Sequence, residues 1–297
     1  MIRFLLALFL LPAAAVAAAA APDKAAKAPA FASERLSVEV TGSGPDVLLI
    51  PGLSSSPEVW RSTVAAVPGY RYHLVHIAGF AGKPAGANAS GPVVEPVAGE
   101  IARYIREAGL KKPAIVGHSL GGAWAMMVAG RNPGLVSKAM VVDMMPFLGA
   151  MFGGPTATTE SVRPIAEQMR TGIATSAGEA RRKQIEQTIA GMVRTEALRP
   201  QIVEHSLASH PAASGQAMYD LITSDFRPDV AKIKVPLTVL YVRPAGAPLT
   251  DAQMEQYYAM SYAGAPQAVL KRIPDSYHFI MLDSPEAFRT ELKTFLK

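Results

Sequence analysis

A chain of 297 residues with 49% hydrophobic and 18% charged side chains can bury a sizeable core, which excludes global disorder and fits one large domain or one domain with an insertion. It contains no cysteine, so disulfides, thiolate catalysis and Cys-ligated zinc or iron–sulfur centres are excluded. The formal net charge of +5 is not gathered into a basic stripe with interleaved aromatics. It reads as a solubility property, and no nucleic-acid partner is expected.

Arg3 precedes FLLALFLLP and a run of alanines that ends in APDK. A positive start, a short apolar stretch and small A-x-A residues describe a secretory signal peptide. An uncleaved anchor is the rival reading, since the apolar stretch is about long enough to span a bilayer. Pro12 and the weakly apolar alanines favour cleavage near Ala20 or Ala21. Residues 1–21 are therefore expected to be a signal peptide and 22–33 a flexible Pro/Ala/Lys-rich linker. The protein is expected to be exported, periplasmic or secreted in a bacterial setting, without stable membrane insertion once the signal is removed.

From there strands alternate with helices. RLSVEV (35–40) has the period of a half-buried strand, and DVLLI (46–50) is a continuous apolar run suited to a strand covered on both faces. YHLVHI (72–77), AIVG (114–117), KAMVVD (138–143), VPLTVLYV (235–242) and AVLKRI (268–273) are further strands. Helices are expected within 92–110 and over 120–131, 251–262 and 285–295. The alternation predicts an α/β fold with a mostly parallel sheet and helices on both faces. Between Met144 and Arg227 no strand is visible. Four helical stretches fill the interval, beginning SVRPIAEQMRTGI, GEARRKQIEQTI, ALRPQIVEHSL and SGQAMYDLIT. Residues 144–227 are read as a helical cap over the carboxyl ends of the strands, with the core formed by 34–143 and 228–297. RRK at 181–183 reads as a solvated helix face.

Gly117-His118-Ser119-Leu120-Gly121 matches G-x-S-x-G between an apolar strand and an apolar helix. Such a turn is sharp and strained, and glycines two before and two after the serine remove side chains where the backbone doubles back. Ser119 is the candidate nucleophile. With VLLIPGLSSSPEVW (47–60), HIAGFAGKPAG (76–86), IVGHSLGGAWAMMVAGRNP (115–133) and SYHFIMLDSPEAF (276–288), the chain resembles the α/β-hydrolase-fold superfamily, in its exported serine hydrolase or esterase form. The resemblance spans roughly residues 34–297. It implies a helical cap inserted after the sixth strand, a Ser-His-Asp triad, and no metal or organic cofactor.

The family usually carries His-Gly-x in the loop after an early strand, where this chain reads Pro51-Gly52-Leu53. The oxyanion hole is built from backbone N–H groups, so it survives that change. By the family pattern the amides of Leu53 and Leu120 form it. His278 lies after the last strand and before the last helix, where the family places its base. His73 and His76 stand three apart on one strand and face opposite sides. His205 and His210, in the cap, read as surface histidines.

The acid is less obvious. Most family members place an aspartate just after the strand that VPLTVLYV occupies, but here the first acid, Asp251, comes nine residues after Val242. Thr250-Asp251 also reads as a helix start. Asp275 reads as a turn residue, and Asp283 with Ser284-Pro285-Glu286 as another helix start. Asp143 ends the strand after the nucleophile strand, at the carboxyl edge of the sheet where sites form. Some members, including the haloalkane-dehalogenase branch, place their acid there. Asp143 is the favoured acid and Asp251 the alternative.

Met144, Met145 and Phe147, followed by Leu148, Met151 and Phe152, offer an apolar acyl or alcohol pocket, or packing of cap on core. Gly149, Gly153 and Gly154 are hinge candidates. The expected function is hydrolysis of carboxylic esters, with a small, apolar ester as partner. The same triad also serves lactone, amide or C–C hydrolysis and acyl transfer. A non-catalytic exported protein that binds an apolar ligand is the alternative from a different class. No residue pattern specifies an oligomeric state.

Overall fold

The computed structural model describes residues 31–243 and 246–297, and the expected signal peptide and most of the expected linker lie outside them. The strands are β1 (Leu36–Gly42), β2 (Asp46–Ile50), β3 (Arg71–Ile77), β4 (Ala114–His118), β5 (Lys138–Val142), β6 (Leu237–Tyr241) and β7 (Val269–Arg272). They form one sheet in the order β1-β3-β2-β4-β5-β6-β7. β1 pairs antiparallel with β3, and every other pairing is parallel. The predicted α/β architecture is observed.

Side-chain alternation along the inner strands divides the core in two. Leu48, Ile50, Ile115, Ala139 and Val141 join one apolar cluster, and Val47, Leu49, Val116, Met140 and Val142 the other. α1 (Arg61–Ala66) follows a 3-10 turn at Pro57–Trp60 that sequence reading missed. α2 (Val94–Glu107) and α3 (Leu120–Arg131) cover the first cluster. Nearly every residue of α3 is buried, which explains why it reads as apolar all round rather than amphipathic.

Between β5 and β6 come α4 (Ala150–Gly153), α5 (Arg163–Thr175), α6 (Gly178–Met192), α7 (Arg199–Ala208), α8 (Pro211–Thr223) and α9 (Arg227–Val230). No strand interrupts them. All four expected helical stretches form, but the insertion follows the fifth described strand rather than the sixth. The reason is that β1 is the single antiparallel strand described ahead of β2, and residues 51–70 hold a 3-10 turn and α1 instead of adding another strand. After β6 come α10 (Asp251–Ser261), α11 (Ile280–Asp283) and α12 (Pro285–Leu296). Phe288, Leu292 and Phe295 of α12 fill the second cluster with Trp60. Among the described residues no helix is long and apolar enough to cross a membrane.

The expected linker ends earlier than residue 33. Phe31 packs edge-on against Tyr104 with ring centroids 5.0 Å apart. The Arg103 guanidinium lies 4.5 Å above the Phe31 ring and donates to the Ala32 carbonyl. Residues 31–33 are thus fastened to α2, through an aromatic and cation–π contact that composition alone does not announce.

Four of the histidines, His73, His76, His118 and His205, have their pKa lowered, in each case chiefly by burial. In the unfolded chain these rings protonate near pH 6.5, whereas the folded protein resists taking up those protons. Stability from these groups is complete above about pH 6.5 and is lost as pH falls through that value towards the folded pKa values. The urea midpoint at pH 5 is therefore expected to lie below that at pH 7.5; an equal or higher midpoint at pH 5 contradicts the assignment.

Candidate functional site

Ser119 directly follows β4 and has φ 52° and ψ −124°, a conformation costly for a residue with a Cβ. Its N–H donates to Val142 O at 2.8 Å and its carbonyl accepts from Gly122 N at 2.7 Å. A methyl group on Gly117 would collide with the Gly121 carbonyl, and one on Gly121 with the Ile50 carbonyl. The two glycines of the motif are therefore required by close backbone approach. The turn lifts the half-buried Ser119 to the carboxyl edge of the sheet.

The Pro51-Gly52-Leu53 loop lies directly against it. A Cβ on Gly52 would stand 2.9 Å from Ser119 Cβ and 3.1 Å from His118 Nδ1. Neither the Leu53 nor the Leu120 amide donates to an acceptor among the described residues. For Leu120 this follows from its place as first residue of α3, where N–H groups have no partner within the helix.

Asp143 follows β5 and also has a positive φ of 52°. Its amide donates to Leu240 O at 2.7 Å, continuing the β5–β6 pairing by one step. The carboxylate is held from two sides. Oδ2 lies 2.6 Å from His278 Nδ1, and Oδ1 accepts from Val242 N and from Tyr258 Oη, each at 3.1 Å. Burial, and then the Asp143 charge, push the Tyr258 hydroxyl well above its ordinary pKa, so it remains a donor. With Nδ1 donating to Asp143, the Nε2 of a neutral His278 carries the lone pair. Nε2 has no partner among the described residues, and no hydrogen bond joins it to Ser119 Oγ. Contacts of this kind commonly lengthen in the absence of substrate.

His118 lies directly against His278. Its Nε2 donates to the His278 carbonyl at 3.0 Å, and the two rings stand 4.6 Å apart. Burial, reinforced by the neighbouring His278, drives its pKa well down, so it stays neutral and places no competing charge beside that ring.

The structure thus brings Ser119, His278, Asp143, Leu53 and Leu120 to one edge of the sheet and leaves Asp251 elsewhere. Asp251 pairs with Arg243 at 2.8 Å and Arg272 at 2.9 Å, with half of its side chain exposed, and Thr250 caps its helix. The pocket expectation is corrected. Met144, Met145 and Phe147 are only 4%, 7% and 3% exposed. The two methionines belong to the core beneath α3, and Phe147 packs with Ala157, Val162, Ala166 and Ile222. His210 is exposed as expected, but His205 is half-buried and hydrogen-bonds Ser56 Oγ through Nε2 at 3.2 Å. Tyr258 was missed because no spacing rule ties a helix residue to an acid 115 positions away.

The alpha/beta hydrolase family model matches residues 47–291. The chain belongs to the alpha/beta hydrolase family. Among curated relatives of this alpha/beta hydrolase, the pimeloyl-(acyl-carrier protein) methyl ester esterase of Vibrio atlanticus is 34% identical over 119 residues, 40% of this chain and 43% of that protein. That match spans less than half of the relative's length. The enzyme of the same name from Aliivibrio fischeri is 23% identical over 263 residues, covering 87% of this chain and 96% of its own. Among solved structures, an esterase from Exiguobacterium antarcticum superposes with a TM-score of 0.72 at 20% identity, over 88% of this chain and 95% of that one. An enol-lactonase from Burkholderia xenovorans gives 0.68 at 17% identity, over 88% and 96%. At these identities the structural likeness shows the fold of an alpha/beta hydrolase and no more.

Proposed function

We propose that the protein is a serine hydrolase that cleaves small carboxylic esters through Ser119, His278 and Asp143. The observation that carries this reading is the 2.6 Å contact between His278 Nδ1 and Asp143 Oδ2, in a fold that lifts Ser119 to the same edge. Ser119 Oγ attacks the ester carbonyl while its proton passes to His278 Nε2, and Asp143 stabilises the imidazolium. The new Oγ–C bond leaves the carbonyl oxygen as an oxyanion, received by the amides of Leu53 and Leu120. The C–O bond to the alcohol breaks as His278 returns the proton to it. Water then repeats the sequence on the acyl-enzyme and releases the acid.

The names of the relatives raise the question of a free or a carrier-bound ester. The insertion holds equal numbers of basic and acidic side chains. Arg163, Arg170, Arg182, Arg199 and Arg227 are each paired to a nearby carboxylate. Charges already neutralised in this way favour a free small molecule over a protein-borne substrate. A series of p-nitrophenyl esters from acetate to laurate tests the reading. Saturable turnover with an acyl-length preference is expected, and folded protein that turns over none of them contradicts it.

Tyr258 is expected to act through Asp143. A hydrogen bond to a charged group contributes about 1.5–3 kcal/mol, so Tyr258→Phe should lower kcat at least about tenfold, with KM little changed. Unchanged kcat in the folded variant would remove Tyr258 from the account.

A further inference from the structure

The insertion meets the site at two places, and each contact falls on a loop that carries one of its groups. The first is the loop around His278. The Asp283 carboxylate accepts from Tyr277 N at 3.0 Å within that loop, and from Arg194 N at 3.0 Å and Thr195 N at 2.9 Å in the segment that follows α6. Phe279 N donates to Met192 O at 3.2 Å. Arg194 Nη1 donates to Asp275 O at 2.6 Å, where Asp275 itself holds a positive φ of 54°. The second is the loop that carries Leu53. Ser54, at a φ of 54°, shares a hydrogen bond of 2.8 Å between its hydroxyl and that of Ser214 on α8. Ser214 is only 3% exposed. Ser56 Oγ reaches His205 Nε2 on α7 at 3.2 Å.

We propose that the insertion is a positioning element of the hydrolytic site. Asp283, through residues 192–195, holds the loop that carries His278, and the Ser54–Ser214 hydrogen bond holds the loop that carries the Leu53 amide. Both loops adopt left-handed backbone conformations that cost energy and persist only where neighbours fix them. A carboxylate gathering three backbone N–H groups is a strong fixture. A lid swinging on Gly149, Gly153 and Gly154 would have to break these bonds at each opening, so the geometry assigns the insertion to orientation of base and oxyanion donors. Asp283 and Ser214 are thus positioning residues that touch no reacting atom. Misplacing a reacting group impairs the chemical step more than substrate binding.

The inference rests on the reading of Ser119 and His278 given above, and the test separates the two. Asp283→Asn sets an amide NH2 against backbone N–H groups. It is expected to lower kcat by about ten- to hundredfold, with KM within about twofold and slower fluorophosphonate labelling of Ser119. Ser214→Ala, which removes one hydroxyl and keeps the result decisive if Asp283→Asn does not fold, should lower kcat by up to about tenfold, again with KM retained. Asp229→Asn breaks the Arg131 pairing at 2.9 and 2.8 Å away from the site. It should reduce the melting temperature and leave kcat unchanged. Folded Asp283→Asn and Ser214→Ala proteins with wild-type kcat overturn the positioning role, as does an equal loss of kcat in Asp229→Asn. Wild-type protein that neither turns over esters nor labels at Ser119 overturns the hydrolase reading itself.

Discussion

Ser119→Ala is expected to lower kcat for ester hydrolysis on the order of 10⁶-fold, the scale found when a serine nucleophile is removed from a working triad. The Ser119 hydroxyl takes part in no hydrogen bond among the described residues, so its loss removes the attacking atom and little of the fold. Alanine carries the same Cβ at the same positive φ, and the backbone bonds of Ser119 to Val142 and Gly122 do not depend on the side chain. The variant should therefore melt within a few degrees of the parent. Its residual rate is expected to come from the Leu53 and Leu120 amides and from substrate orientation alone. Full activity in Ser119→Ala would locate the chemistry elsewhere.

Asp143→Asn is expected to cost about 10⁴-fold in kcat. The amide oxygen can still receive Val242 N and Tyr258 Oη, now held at 3.1 Å by Oδ1. The amide NH2 then faces His278 Nδ1 and donates to it, which moves the imidazole proton to Nε2. The nitrogen that must accept the serine proton is then already protonated, and no carboxylate remains to stabilise an imidazolium. Asp251→Asn is the matching control. It removes half-exposed pairs to Arg243 and Arg272, which contribute at most about 1 kcal/mol each, and kcat should not move. If Asp251→Asn were the crippled variant, the acid would be misassigned.

The strand and helix sequence was largely legible because its signals are local. DVLLI and LGGAWAMMVAGR form β2 and α3 with the expected limits. The G-x-S-x-G turn announced itself through glycines whose need the structure explains atom by atom. The acid was harder, since Asp143 ends a strand and Asp251 begins a helix, and only sheet order brings one of them to His278. Side-chain direction decided the fate of Met144, Met145 and Phe147, and composition does not encode direction. Asp283 looked like a helix start, whereas its carboxylate turns back onto Tyr277, Arg194 and Thr195. Contacts between segments some ninety residues apart leave no periodic trace in the chain.

The most direct measurement is the reaction of folded wild-type protein with a fluorophosphonate, followed by mass analysis of the adduct. One phosphonyl group per chain on Ser119, absent in Ser119→Ala and formed far more slowly in Asp143→Asn, is the expected result. Folded protein that stays unmodified, or that carries the group on another residue, contradicts an activated serine at the carboxyl end of β4.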